Sequence, residues 1–213
     1  LLAAVCFSLS DPASKKGSKY LTVTLIIALG WMGMINQEKD FIQFMWYKDH
    51  FKSVCFYSKW NFFSRVTVHP VAFIPFGWGF SEKVKDEHVK VKEWMILIDG
   101  GAGTVMTKFE DVKDLTYLNM DVSSTAYHLR KARSALIIGS GGGRDLLTAV
   151  INGVQKVVGV EINKGTIEVA YDFIKEPQGT VRQFPQIEIH NDDGRSFVAR
   201  SPERYDVIQA SLV

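Results

Sequence analysis

Residues 134–163, SALIIGSGGGRDLLTAVINGVQKVVGVEIN, constrain the fold more than any other stretch of this 213-residue chain. An apolar run, Ala135 to Ile138, enters a glycine cluster at Gly139, Gly141, Gly142 and Gly143, and a helix-like segment follows. A second β-branched run, Val157 to Val160, stops at an acid, Glu161. A backbone without Cβ can bend sharply at such a turn and let a ligand lie against it. An acid at the tip of the second strand, about 20 residues on, is placed to accept hydrogen bonds from ribose hydroxyls. Strand, glycine turn, helix, strand and carboxylate are therefore the layout of a nucleotide-type cofactor site; the alternative is a turn with a purely structural purpose.

Glycine spacing distinguishes the cofactors. A dinucleotide fingerprint needs a third small residue for close helix–strand packing, and here that position is Arg144. Read instead as G-x-G-x-G, the residues Gly139, Ser140, Gly141, Gly142 and Gly143 follow the pattern of S-adenosylmethionine enzymes, whose ligand has no pyrophosphate to rest on the helix N-terminus. Arg144 itself is expected on the first helical turn, solvated. Further on, residues 187–197, IEIHNDDGRSF, alternate as a short strand and reach Asn191, Asp192, Asp193 and Gly194. One carboxylate there, Asp193 ahead of Asp192, is expected to accept from the adenine amino group; the competing role is a helix N-cap. A last strand is predicted over Tyr205–Leu212.

Other chemistries find no support. Cys6 and Cys55 stand far apart without a metal or redox motif. The five histidines lack zinc spacing, and neither a nucleophile elbow nor a phosphate-loop motif occurs. A net charge of +2 gives no case for nucleic acid.

LIIGSGGGRDLL, VVGVEIN, NDDGRSF and ERYDVI resemble the cofactor motifs of spermidine synthase-like proteins, a branch of the class I methyltransferase fold. WNFFSRVTV (60–68) is similar to that family's first β-hairpin, and LIDGGAGTVM (97–106) to its L-D-G segment. The resemblance runs from about Trp60 to the C-terminus and looks closest to large membrane-embedded bacterial relatives. It implies an aminopropyltransferase that binds S-adenosylmethionine or its decarboxylated form and transfers an aminopropyl group to a polyamine amine. It also implies a possible homodimer, and the cysteine and histidine spacing above leads to the expectation of no metal. On it, Gly139–Gly143 would cradle the methionine-like portion, Glu161 the ribose, and Asp193 with Gly194 the adenine. Asp99, Asp114 and Tyr117 would lie on the substrate side, Asp99 with a turn role as its alternative. Three departures are present: Ser64 replaces a cofactor-contacting Gln, Leu118 replaces a polar residue, and the catalytic loop is expected just after Val213. A small-molecule methyltransferase and a noncatalytic cofactor-binding module are the alternative functions.

The expected architecture is α/β, with four divisions. Residues 1–36 form a truncated membrane segment, because Tyr20–Ile35 is almost unbroken apolar sequence, slightly short of the ~20 residues of a span; a buried soluble helix is the alternative. Residues 37–60 form a connector rich in aromatics and lysine, suited to a membrane–water boundary or to a small core. Residues 61–131 form a small, mostly antiparallel β-domain, with β-like runs at Arg65–Val68, Val71–Ile74, Trp94–Ile98 and Thr104–Phe109. The charge run 81–93 reads as a solvated strand or loop. Residues 132–213 form a Rossmann-like cofactor domain with four of the usual seven strands, which predicts a piece of a longer protein. Localisation is expected at a membrane, with the cofactor domain facing the cytoplasm.

Overall fold

Tyr20–Ile35 lacks the polar stripe of an amphipathic helix, and the helix it forms is apolar on every side. The computed structural model describes residues 16–39, 46–47, 50–51, 55–71, 75–77, 79–80, 84 and 90–211. Its contacts divide the chain into two units, residues 1–44 and 45–213. The first unit contributes helix α1 (Lys16–Lys39), 24 residues, or about 36 Å at 1.5 Å per residue. Leu21, Ile27, Trp31 and Met34 are exposed around it. Its stretch Lys19–Asn36, of mean hydropathy 1.3, is long and apolar enough to cross a membrane by length and composition alone.

The second unit begins with a two-stranded antiparallel ribbon, β1 (Trp46–Tyr47) and β2 (His50–Phe51). A four-stranded antiparallel sheet follows: β3 (Tyr57–Trp60), β4 (Arg65–Pro70), β5 (Val91–Ile98) and β6 (Ala102–Phe109), paired in that order. The first hairpin starts three residues earlier than the motif suggests, inside the expected connector, because Tyr57 pairs with Val68 and Trp60 with Arg65. Of the expected strand Val71–Ile74, residues 72–74 lie outside the described residues, as does most of the charge run 81–93. The β5–β6 turn has positive φ at both Asp99 (50°) and Gly100 (66°), the twist that joins antiparallel strands tightly.

Two 3₁₀ segments (Val112–Met120 and Val122–Ser124) and a short helix, α2 (Thr125–Leu129), lead to the second sheet. There β7 (Ser134–Ile138), α3 (Arg144–Ile151), β8 (Lys156–Glu161), α4 (Lys164–Asp172), β9 (Ile187–Asn191), α5 (Gly194–Arg200) and β10 (Val207–Ala210) alternate. The four strands are parallel, in the order β10-β7-β8-β9. The order reverses beside β7, and ligands of open α/β sheets bind off the strand ends at that kind of switch point. β10 is shorter than its sequence run. The Asp206 carboxylate turns back to accept from Arg133 N–H (2.8 Å) and Ser134 N–H (3.1 Å), which ends the extended run one residue before Val207.

Both faces of the central strands β7 and β8 are covered, as their unbroken apolar runs require. Ala135, Ile137 and Val157 pack with Tyr127, Leu146, Ala149 and Val154. Leu136, Val158 and Val160 pack on the other side with Phe197 and Tyr205. The two sheets also share cores. Phe109, Leu115, Tyr117 and Leu118 meet Leu147 and Val181, while Val66, Val68, Ile96 and Met106 meet Val169 and Ala170 of α4. The division read at residue 131 thus separates two sheets inside one packed unit.

Candidate cofactor site

The glycine loop bridges β7 and α3, and its backbone is closed on itself. Gly139 N–H (2.8 Å) and Ser140 N–H (3.1 Å) both donate to the Val160 carbonyl. Gly141 N–H donates to Glu161 Oε2 (3.0 Å), Gly142 N–H to Thr104 Oγ1 (3.0 Å), and Gly143 N–H to the Ser140 carbonyl (2.9 Å). All five donors of residues 139–143 are thus spent on protein acceptors. Anion sites at helix N-termini depend on donors left over for the ligand; residues 139–143 supply none, which leaves that capacity to the first turn of α3, where no side chain caps the helix.

The loop faces two ways. A Cβ on Gly142 would overlap the Val105 carbonyl, on Gly141 it would lie 2.6 Å from Thr104 Oγ1, and on Gly143 2.5 Å from Val181 Cγ1. These three glycines are buried and admit β6 and Val181 to the backbone. Gly139 is exposed, and a Cβ there would meet nothing within 4 Å. Of the loop residues proposed for a ligand, Gly139 therefore presents the open face, while Gly141, Gly142 and Gly143 serve packing with their Cα side.

Glu161 turns toward the loop at the end of β8. Its Oε1 accepts from Asn163 N–H (2.8 Å) and its Oε2 from Gly141 N–H, and the side chain is buried. Two fixed donors set the carboxylate plane, and each oxygen keeps a second lone pair for a hydroxyl. Asp192 is tied to the same corner: its N–H reaches the Glu161 carbonyl (3.2 Å), and its carboxylate pairs with Arg200. Asp193 is the N-cap of α5, accepting from Ser196 N–H (2.8 Å); that backbone bond holds its carboxyl below the usual range. Gly194 admits Ile138, whose Cγ2 would stand 2.5 Å from a Cβ.

The substrate-side candidates have local duties. The Asp99 carboxylate accepts from Arg65 N–H (2.9 Å) at the β5–β6 turn. Asp114 closes a capping box with Asp111 at the start of the first 3₁₀ segment. Tyr117 is buried, with its hydroxyl donating to Glu93 Oε1 (2.8 Å). Burial first, and then the neighbouring Glu93 charge, push its phenol far up. Arg144 departs from the solvated position expected for it. It is buried, paired with Asp121, and lies 5.6 Å from the Phe80 ring centroid. Helix α3 packs its first turn against the 3₁₀ segments, which encloses the guanidinium.

Three residues escaped the sequence reading. Glu93 is buried between Phe76 N–H (2.7 Å) and Tyr117, and desolvation raises its pKa; in sequence it is concealed among lysines. Asp145 lines a cavity of about 40 Å³ with Gly139, Ser140, Thr104 and Ser211, roomy enough to hold water. Burial raises the pKa of its carboxyl against the hydroxyls of Ser211 and Ser123 and the charge of Arg144. Ser140 Oγ is buried there with no hydrogen-bond partner among the described residues. Asn163, the N-cap of α4, was legible only as the residue after Ile162.

Residues 114–213 match the spermine/spermidine synthase domain family. The chain is 32% identical over 91 residues to a polyamine aminopropyltransferase of Korarchaeum cryptofilum (strain OPF8), covering 43% of this chain and 28% of that protein. It is 32% identical over 79 residues to one of Serratia proteamaculans (strain 568), covering 37% and 28%. It is also similar to the crystal structure of spermidine synthase from Thermotoga maritima, at 18% identity and a TM-score of 0.48, over 81% of this chain and 57% of that one. The chain thus spans little more than a quarter of the curated relatives it matches.

Proposed function

We propose, from the premise that residues 114–213 belong to the spermine/spermidine synthase family, that this chain is the cofactor-binding part of an aminopropyltransferase that takes decarboxylated S-adenosylmethionine and a polyamine amine. The observation that carries this reading is the closed glycine loop beside Glu161. All five loop N–H groups are already paired, and a buried carboxylate with lone pairs to spare stands beside them. Such a slot suits a nucleoside with neutral hydroxyls and a cationic tail.

The charges nearby favour the decarboxylated form. A methionine carboxylate would need a cation, and Arg144, the cation at the loop, is committed to Asp121. Asp145 lines the cavity with hydroxyl neighbours and no salt bridge among the described residues. In this reading Glu161 orients the ribose, Asp193 and Gly194 flank the adenine, and Asp145 attracts the ammonium end. The sulfonium supplies an electrophilic carbon and a neutral thioether leaving group. Transfer then forms an N–C bond, breaks the S–C bond with its electron pair going to sulfur, and releases one proton from the amine. The length and composition of helix α1 allow a membrane span, and the reading extends to a membrane-bound protein with this unit on the cytoplasmic side.

The test is calorimetric titration of the full-length protein with decarboxylated S-adenosylmethionine, S-adenosylmethionine and NAD. Tightest binding of the decarboxylated form is expected, with NAD weakest. A preference for S-adenosylmethionine would turn the reading toward a methyltransferase; binding only NAD, or nothing, would overturn it.

A further inference from the structure

The tip of the β3–β4 hairpin is wired to the ribose carboxylate. Asn61 Nδ2 donates to Asn163 Oδ1 (2.6 Å), which also accepts from Gly165 N–H (3.0 Å). Asn163 Nδ2 donates to Ser64 Oγ (2.8 Å), and Asn163 N–H donates to Glu161 Oε1. At the tip, Asn61 Oδ1 accepts from both Phe63 N–H and Ser64 N–H (2.9 Å each), so its amide group cannot flip without losing two bonds. A side chain on Gly165 would overlap Asn61 Nδ2, so this glycine is what permits the approach. Asn163, Ser64 and Glu161 are all buried. In a low-dielectric setting, such a chain of bonds fixes its members against one another.

We propose that Asn61 and Ser64, acting through Asn163, are positioning residues for Glu161, so that the hairpin, and not the glycine loop alone, sets how well the site reads ribose hydroxyls. This rests on the nucleoside reading above and adds to it a residue pair from a different sheet. Glu161 receives one bond from the loop and one from Asn163. Asn163 in turn is gripped on both faces of its side-chain amide by the hairpin. Releasing that grip lets the 161–163 segment rotate and turns the carboxylate away from the ribose edge, while the adenine end at Asp193 is left as it was.

The experiment measures binding of adenosine and of 2′,3′-dideoxyadenosine to the full chain by calorimetry, with melting temperatures alongside. Unaltered protein should prefer adenosine. Asn61→Asp keeps both turn acceptors but sets a carboxylate against Asn163 Oδ1, and Ser64→Ala removes the acceptor with the loss of only the hydroxyl oxygen. Each should reduce the preference about tenfold, which is 1.4 kcal/mol, with dideoxyadenosine affinity unchanged. Ser64→Thr, which retains the hydroxyl, should restore it. A merely structural role would lower both affinities and the melting temperature together, and that outcome, or an unchanged preference, overturns the inference while nucleoside binding stands. Failure of the unaltered protein to bind either nucleoside overturns the inference and the nucleoside reading alike.

Discussion

Two glycines of this chain make a matched pair for locating the ligand. Gly139 (φ 74°) and Gly153 (φ 79°) share a left-handed backbone, and a Cβ on either would meet nothing within 4 Å. Changing each to Ala should therefore cost the same backbone strain, about 1–2 kcal/mol. At about 2–4 °C per kcal/mol for a chain of this size, both variants should melt about 2–8 °C lower. They differ in what the new methyl group faces. Gly153 lies in the turn after α3, whereas Gly139 borders the cavity with Ser140 and Asp145. If a nucleoside lies against the loop, the methyl of Gly139→Ala occupies its space, at an overpacking cost of about 1–3 kcal/mol. That is a loss of about 5- to 150-fold in affinity. Thermal melts and calorimetric titration with decarboxylated S-adenosylmethionine separate the two effects. Equal affinities for the two variants would refute the assignment of the loop's open face, whatever their melting temperatures.

Other outcomes can be stated. Gly142→Ala drives a methyl into the Val105 carbonyl and to 2.8 Å from Met106 N, in an eight-residue strand that cannot shift locally; a loss of about 3 kcal/mol by denaturant titration is expected, and a neutral result would mean that the loop does not bear on β6. Asp145 has a raised folded-state pKa, so the folded protein binds its proton more tightly than the unfolded chain does, and stability is lost as pH rises through that pKa. Asp145→Asn should accordingly melt higher than the parent at neutral pH, with the gap closing below the ordinary carboxylate range; a gap independent of pH would contradict this. If α1 anchors the protein, as proposed from its length and composition, removing residues 1–44 should release the remaining unit from membrane fractions in a flotation assay. Retention of the shortened protein on vesicles would refute α1 as the anchor.

The parallel sheet was legible because β7 and β8 are apolar at consecutive positions, β9 alternates apolar and polar, and the turn after β7 is rich in glycine. Ala135–Ile138, Val157–Val160 and the 187–191 strand all fall where their patterns place them. Glu161 falls at the end of β8, as expected of an acid closing a strand. What stayed hidden depends on contacts distant in sequence. Nothing around Arg144 announces that Asp121, 23 positions away, would bury it. Likewise Asn61 reads as a turn residue until Asn163 arrives beside it, 102 positions on. The start of β3 was missed because Tyr57–Trp60 carries no alternation of its own and takes its register from β4.

Because α4 is sunk into the antiparallel sheet and Leu147 of α3 into the 3₁₀ segments, the two halves of this unit have no seam along which to swing. A molecule too large for the present cavity cannot be admitted by a clamshell motion. Entry has to come from rearrangement at the rim, one side chain or short turn at a time, and such motions are faster than the hinging of whole domains, so capture should proceed without a slow closing step.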